Sequence, residues 1–326
     1  MLNRGNRALR KKLPGIIQSI SFLGFYVGWS FIFRILILTL VTYFLMSKTT
    51  PLQDISEFFG TNEIMISSFS AFLFVLLLYF LFPLTRTKRQ EIIQWKPLYR
   101  YFLPGFLNGS AISIGLLGAF LLGGYYEYWG IFIQSDSNLI ASFNVFFRAL
   151  ALIVFVYCEE FLFRKKLIDA LSKTFTPLIC AFISAGSYCL VKSLQFELGA
   201  MHLITLFLVS LRLALLAVSG WSFTRGAGYW AALLVFFHPL LGLPIFGNEF
   251  NGVFYLKYLG AEGAQDAFLS QIIGENPDWR MALFLTGGIG GPLSSFALQA
   301  ILIAQLMLSA VKEKKMIWIP KTSTIR

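Results

Sequence analysis

The sequence has few charged residues. Only 13% of its 326 residues are Asp, Glu, Lys or Arg, whereas roughly 25% is usual in soluble domains. Hydrophobic residues make up 57% of the chain, with a mean hydropathy of +0.70. Apolar runs of about 20 residues are typical of membrane-spanning helices. We therefore predict an all-α fold, a polytopic membrane helical bundle with about eight transmembrane helices.

Cysteine is also scarce. Cys158, Cys180 and Cys189 are the three cysteines of the chain, and all lie in apolar segments. We interpret them as small buried hydrophobic residues rather than as disulfides or metal ligands.

The charge that is present is mostly basic, with a formal net charge of +11. Most Lys and Arg residues occupy short loops beside apolar runs on the side that holds both termini, as the positive-inside rule predicts. This pattern argues against nucleic-acid binding. We expect an integral membrane protein of a bacterial inner (plasma) membrane, surrounded by the lipid bilayer, with both termini cytoplasmic.

Eight apolar stretches carry the predicted spans. The first lies within residues 16–46, where we expect a tilted or interfacial piece followed by a span. The others are 64–84, 102–124, 140–163, one starting at Pro177, 201–221, 229–246 and 281–308. Gly290-Gly291-Pro292 predicts a kink in the last span, and the Gly105/Gly109 spacing permits close helix approach. Residues 125–138 and 247–280 are predicted outer loops.

Two adjacent carboxylates and an arginine end the fourth predicted span. Ionisable groups in a hydrocarbon span are costly, so they usually face a cavity and mark function. Helical spacing predicts that Glu160 pairs with Arg164, which leaves Glu159 without a partner in its own helix. One paired and one free carboxylate suit a catalytic base and its support.

Three ionisable groups lie at similar predicted depth. At about 1.5 Å per residue, Glu159 and His238 lie roughly 18 Å, and Lys192 roughly 22 Å, from the cytoplasmic ends of their helices. The three side chains could share one layer of a cavity. Lys192 could equally extend to the outer interface. His202 is expected near the outer face, unless residues 195–201 fold back into the membrane.

The pattern Glu159-Glu160-x-x-x-Arg164 at the end of a span, followed by His238 after an apolar run, resembles the CAAX protease and bacteriocin-processing (CPBP, or Abi) family of glutamic-type intramembrane endopeptidases. The resemblance covers roughly residues 143–247. It implies a catalytic helical core at 140–247, with N-terminal membrane helices in 1–139. Residues 248–326 would hold the outer loop, the last transmembrane helix and a basic tail.

The resemblance implies roles for five residues. Glu159 would activate a water, Glu160 would hold Arg164, His238 would hold the water or the oxyanion, and Lys192 would take the position of the second-motif histidine. The substrate would be a peptide or a membrane-anchored protein. We expect no cofactor and no stable metal, since one histidine with carboxylates makes a poor zinc site.

Two departures from the family pattern favour an alternative. Lys192 stands where the family has histidine, four residues after Tyr188, and Gly242 stands where Asn or Asp follows His238. The alternative is a catalytically inactive CPBP-like membrane protein that acts in binding or sorting, with Glu159 and Lys192 as a structural ion pair. A proton-relaying transporter is a third possibility, but the sequence has no inverted-repeat pairing of broken helices.

Overall fold

The protein is described by a computed structural model that covers most of the chain. The described residues are 2–46, 52–81, 98–123, 125–131, 138–196, 198–246, 252–258, 286–287 and 291–318. The structure is mostly helical. The helices are α1 (Leu2–Met46), α2 (Leu52–Leu81), α3 (Leu103–Leu122), α4 (Asn138–Glu160), α5 (Pro177–Gln195), α6 (Ala200–Val218), α7 (Phe223–Val235) and α8 (Phe296–Trp318).

Short helical pieces of other geometry extend several of these helices. The π-helical segment Leu98–Phe102 precedes α3, Phe161–Leu167 continues α4 into the α-helical turn Ile168–Leu171, Phe236–Leu240 continues α7, and the 3₁₀ turn Pro292–Ser294 precedes α8. One π-helical segment therefore directly follows the glutamate pair, and another contains His238. Such segments are frequent at functional sites.

Four helices among the described residues are long and apolar enough to cross a membrane. They are Gly15–Tyr43, Tyr99–Leu122, Pro177–Gln195 and Ala200–Val218, and Asn62–Leu78 and Phe296–Ser309 are shorter apolar helices. These helices indicate a membrane protein.

The first helix corrects the prediction of two pieces within residues 16–46, because α1 is continuous from Leu2 to Met46. Arg34 does not interrupt it. The Arg34 guanidinium reaches α2, where Nη2 lies 3.1 Å from Glu63 Oε1 and donates to Ser67 Oγ at 3.1 Å. Because the Arg34 charge is paired within the protein, the helix continues unbroken through this position.

The predicted kink at Gly290-Gly291-Pro292 lies beside an irregular segment, and Gly290 itself is outside the described residues. Gly291 has φ of 72°, a conformation that favours glycine. A 3₁₀ turn, Pro292–Ser294, follows, and the α-helix begins only at Phe296. Ser295 Oγ accepts from the Leu298 N–H at 3.2 Å and so caps the new helix. Residues 281–285 lie outside the described residues.

Two short strands occupy segments predicted as loops. Strands β1 (Tyr126–Ile131) and β2 (Phe254–Tyr258) pair antiparallel, with Ile131 opposite Phe254 and an irregularity between Tyr128 and Gly130. Both strands are rich in aromatic residues, which favour extended structure. The ring of Tyr126 is buried and stacks on Phe120 of α3 at 5.9 Å. The all-α prediction is thus too simple at this end of the molecule.

Helix α7 lies at the centre of the structure and packs against α3 and α4. Every residue from Ala227 to Val235 is buried. A Cβ at Gly105 would overlap the Arg225 carbonyl, and one at Gly109 would overlap the Tyr229 carbonyl. The predicted close approach at the Gly105/Gly109 pair is confirmed, and α7 is the partner helix.

Candidate functional site

Glu159 lies at the centre of a closed polar cluster, and 1% of the residue is exposed. Its Oε1 lies 2.8 Å from Lys192 Nζ and accepts from the Tyr26 hydroxyl at 3.2 Å. Its Oε2 lies 2.7 Å from the same Nζ and accepts from the Tyr188 hydroxyl at 3.2 Å. Each carboxylate oxygen therefore has two donors.

Two helices bring these donors to α4. Tyr26 comes from α1, whereas Tyr188 and Lys192 lie one turn apart on the same face of α5. Trp230 of α7 donates its indole N–H to the Tyr188 hydroxyl at 3.1 Å, which fixes that hydroxyl toward Glu159. The cluster thus links α1, α4, α5 and α7.

The Lys192 ammonium is enclosed by aromatic rings, and none of the residue is exposed. Its Nζ lies 3.8 Å from the ring centroid of Phe155, 5.2 Å from that of Phe196 and 5.3 Å from that of Phe246. Cation–π attraction adds to the ion pair at such distances. Lys192 does not extend to the outer interface, so that alternative is wrong.

Phe246 carries backbone strain beside this ammonium. Its φ is 51°, an unusual value for a bulky residue. The ring is buried and stacks on Phe196 at 5.0 Å. Strained positions of this kind persist when the surrounding packing over-determines them.

Glu160 and Arg164 form the predicted pair, with Glu160 Oε1 3.5 Å from Arg164 Nη2. The stronger contacts of Arg164 are to serines. Nη1 donates to Ser184 Oγ of α5 at 3.0 Å, and Nη2 donates to Ser210 Oγ of α6 at 2.7 Å. Neither Glu160 oxygen has a hydrogen-bond partner among the described residues. Arg164 therefore joins three helices, while Glu160 serves mainly as its counterion.

His238 is fully buried in the π-helical end of α7, and its Nδ1 lies 3.2 Å from the Leu243 carbonyl oxygen. Arg148 is a charged side chain that influences it electrostatically. The polar partners of Glu159 are Tyr26, Tyr188 and Lys192, so His238 is not bonded to it. The predicted site residues thus divide into a Glu159–Lys192 pair, a Glu160–Arg164 pair and His238, whose Nδ1 contacts the Leu243 carbonyl.

His202 begins α6, partly exposed, near Gly199, which caps that helix. The basic side chain that contacts Glu159 is therefore that of Lys192. Within the described residues, no three His, Cys, Asp or Glu side chains are grouped so that they could hold a metal ion.

Sequence reasoning missed the hydroxyl donors. Tyr26 lies in an N-terminal helix outside the predicted core, and one tyrosine in an apolar run carries no signal of its own. Tyr188 enters the predicted pattern only as the aromatic residue four positions before Lys192. The signal available was the spacing of Tyr188 and Lys192, which places both on one helical face.

A cavity of about 300 Å³ lies elsewhere in the structure. It is lined by the starts of α3 and α7, the end of α6 and part of α8, including Asn108, Arg212, Arg225 and Gln305. Glu159 and Lys192 are not among its lining residues. The two clusters of buried charge are thus separate.

Comparisons of the chain with models of known protein families, with curated proteins and with solved structures find no match.

Proposed function

We propose that this chain is a CPBP-like integral membrane protein in which Glu159 and Lys192 form a structural ion pair, and that it acts in binding or sorting rather than in peptide hydrolysis. One observation carries the proposal: both oxygens of Glu159 already accept from two donors each. The partner would be a peptide or a membrane-anchored protein, and no metal or cofactor is required.

The chemistry of a carboxylate explains why this observation favours binding over hydrolysis. A general base must reach the proton of a water at about 2.6–3.2 Å. A carboxylate offers about four acceptor positions, two on each oxygen. Two tyrosine hydroxyls and the contacts of the Lys192 ammonium occupy all of them in Glu159. The arrangement leaves the carboxylate no position from which to activate water.

The proposal includes the finer topology: about eight spans, both termini cytoplasmic, in a bacterial inner membrane. The pairing of β1 with β2 supports it, because this sheet joins the two segments predicted as outer loops. At the other end of α4, Arg164, Lys165 and Lys166 follow the glutamates. Basic residues at that end agree with a cytoplasmic assignment.

An intramembrane endopeptidase is the second candidate. It is favoured by the π-helical geometry after Glu160 and around His238, and by the strained Phe246 beside Lys192. In this function Lys192 would move away from Glu159, and Glu159 would then activate a water. His238 would hold that water or the oxyanion, and Arg164 would keep the helix end in place.

A comparison of cells that express wild-type chain or Glu159→Gln at equal levels separates the candidates. New peptide termini in the membrane proteome are measured by mass spectrometry. The binding proposal predicts the same termini in both strains. Termini that depend on Glu159 while the variant remains folded would establish the endopeptidase instead.

The charge-swapped variant Glu159→Lys/Lys192→Glu gives a second test. It keeps the ion pair but reverses it, so the binding proposal predicts a folded protein at near wild-type level in the membrane. Each single swap places like charges together in a buried site and should reduce that level strongly. If the double swap reaches no higher level in the membrane than the single swaps, the ion pair does not act as proposed.

A further inference from the structure

The cavity of about 300 Å³ lies at the end of the molecule opposite the two-stranded sheet. Strands β1 and β2 follow the ends of α3 and α7, whereas the cavity is lined by Gly105 and Asn108 from the start of α3 and by Ser222 and Arg225 from the start of α7. Its size is at the lower end of the range for small-molecule sites. It can take a headgroup but not a folded partner.

Arg212 lines this cavity, and no described carboxylate forms an ion pair with it. Only 9% of the residue is exposed, and Nε and Nη1 make no hydrogen bond to any described residue. The guanidinium carbon lies 4.2 Å from the ring centroid of Tyr229. Stacking holds the group flat without using its N–H donors. A buried arginine in an apolar helix is costly unless an anion pairs with it.

A second cation lines the same cavity. The Arg225 guanidinium carbon lies 4.0 Å from the Trp221 ring centroid, and its charge interacts with that of Arg212. The described residues that line the cavity include no acidic residue. Glu160 approaches it from behind Gly226, but its ion pair is with Arg164. Two cations that line one cavity, with no carboxylate among its described lining residues, are suited to bind an external anion.

We propose that this cavity binds the phosphate group of an anionic phospholipid, with Arg212 and Arg225 as its cationic ligands. Arginine matches phosphate because its planar N–H fork can donate two parallel hydrogen bonds. Ser222 at the start of α7 adds a hydroxyl to the lining, and the positive end of the helix dipole also favours an anion.

The surroundings favour a lipid over a free phosphate. Leu213, Leu216, Ala217 and Leu308 line the same cavity, which gives an acyl chain an apolar surface beside the cations. Two of the lining helices, Tyr99–Leu122 and Ala200–Val218, are long and apolar enough to cross a membrane. Anionic lipids of the inner leaflet also lie at the end where the basic residues place the cytoplasm. The inference does not depend on whether Glu159 is catalytic.

Native mass spectrometry of the full chain in detergent, with added phosphatidylglycerol, tests the proposal. We expect wild type to retain the lipid and Arg212→Gln to bind it at least about tenfold more weakly, since charged hydrogen bonds are lost. Arg225→Gln should have a smaller effect in the same direction. The matched control is Arg100→Gln, an exposed cation outside the cavity lining, which should bind as wild type does.

Two further arms identify the ligand. Phosphatidylcholine, which has no net charge, should bind more weakly than phosphatidylglycerol, and glycerol phosphate should not displace the bound lipid. Equal binding of both lipids, or equal binding by Arg212→Gln, overturns the proposal. Displacement by glycerol phosphate overturns the lipid assignment in favour of a soluble phosphate.

If Arg212→Gln does not fold, Ala217→Phe replaces it. This substitution occupies the cavity while retaining both cations, and Ala217 is only partly buried. Loss of phosphatidylglycerol binding in Ala217→Phe supports a ligand inside the cavity. Retained binding means that the lipid lies elsewhere, which contradicts the proposal.

Discussion

The Glu159–Lys192 pair and the Arg212–Arg225 cavity both place charge inside apolar helices, but only the first has its counterion within the described chain. Lys192 Nζ lies within 2.8 Å of both oxygens of Glu159 and is enclosed by rings. Arg212 is held by one ring, and two of its nitrogens make no hydrogen bond to a described residue. The charge of Lys192 is paired within its own chain, whereas the charge of Arg212 faces a cavity with no counterion among the described residues.

The largest expected effect comes from removing the lysine of the buried Glu159–Lys192 pair. Lys192→Met keeps the length of the side chain but leaves Glu159 buried without its cation. We expect the free energy of unfolding to fall by about 3–5 kcal/mol. Denaturant unfolding in detergent micelles measures it. A loss below about 1 kcal/mol, the range of exposed pairs, would mean that Glu159 has other compensation and that the pair is not central to the fold.

A second substitution tests the close contact between α3 and α7 beside the cavity. Gly105→Ala places a methyl group against the Arg225 carbonyl, so α3 and α7 must separate. We expect the free energy of unfolding to fall by about 1–3 kcal/mol, as in other overpacked cores. Gly118→Ala is the matched control because no atom lies within 4 Å of its added Cβ. It should be neutral or slightly stabilising. Equal effects at both positions would exclude a special role for the α3–α7 contact.

Replacement of Arg212 should affect stability differently from replacement of Lys192. Arg212→Met removes a buried charge that has no counterion in the described chain. Without anionic lipid, its unfolding free energy should stay within about 1 kcal/mol of wild type, because the lost desolvation penalty offsets the lost stacking on Tyr229. Added phosphatidylglycerol should then stabilise wild type but not the variant, by thermal unfolding. A destabilisation as large as that of Lys192→Met would remove the contrast between the two clusters.

The smallest effect is expected at an exposed pair. Lys165 Nζ lies 3.6 Å from Asp169 Oδ2, and the two side chains are 41% and 59% exposed. Lys165→Met should change the unfolding free energy by less than about 0.5 kcal/mol. This variant is also the control for Lys192→Met, because both exchange a paired lysine for methionine. A large effect here would show that the unfolding assay responds to charge in general rather than to burial.

Much of the helical framework could be predicted because it follows from local sequence. Thr176-Pro177 predicts the start of α5, and the structure has its N-cap at Thr176. The Glu160–Arg164 pair follows from the helical repeat. The continuity of α1 through Arg34 could not be predicted, because it depends on Glu63 of another helix. The strands escaped prediction for the same reason, since each needs its partner to pair.

The site shows the same division between local and distant information. Predicted depth brought Glu159 and Lys192 to one level, and the ion pair between them is observed. The same estimate placed His238 there, but axial depth does not specify which way a side chain faces around its helix. The Tyr26 hydroxyl could not be found from the sequence, since it arrives from 133 residues away. The endopeptidase and binding hypotheses both remain proposals for experiment.

A double-mutant cycle on Glu159→Gln and Lys192→Met tests the central claim most directly. Unfolding free energies of wild type, both single variants and the double variant are measured in the same detergent. A structural pair predicts that Lys192→Met alone loses about 3–5 kcal/mol, and that the double variant recovers to within about 1–2 kcal/mol of wild type. Additive losses, or a Glu159→Gln variant that is as stable as wild type but loses a processing activity, would contradict the structural role and favour catalysis.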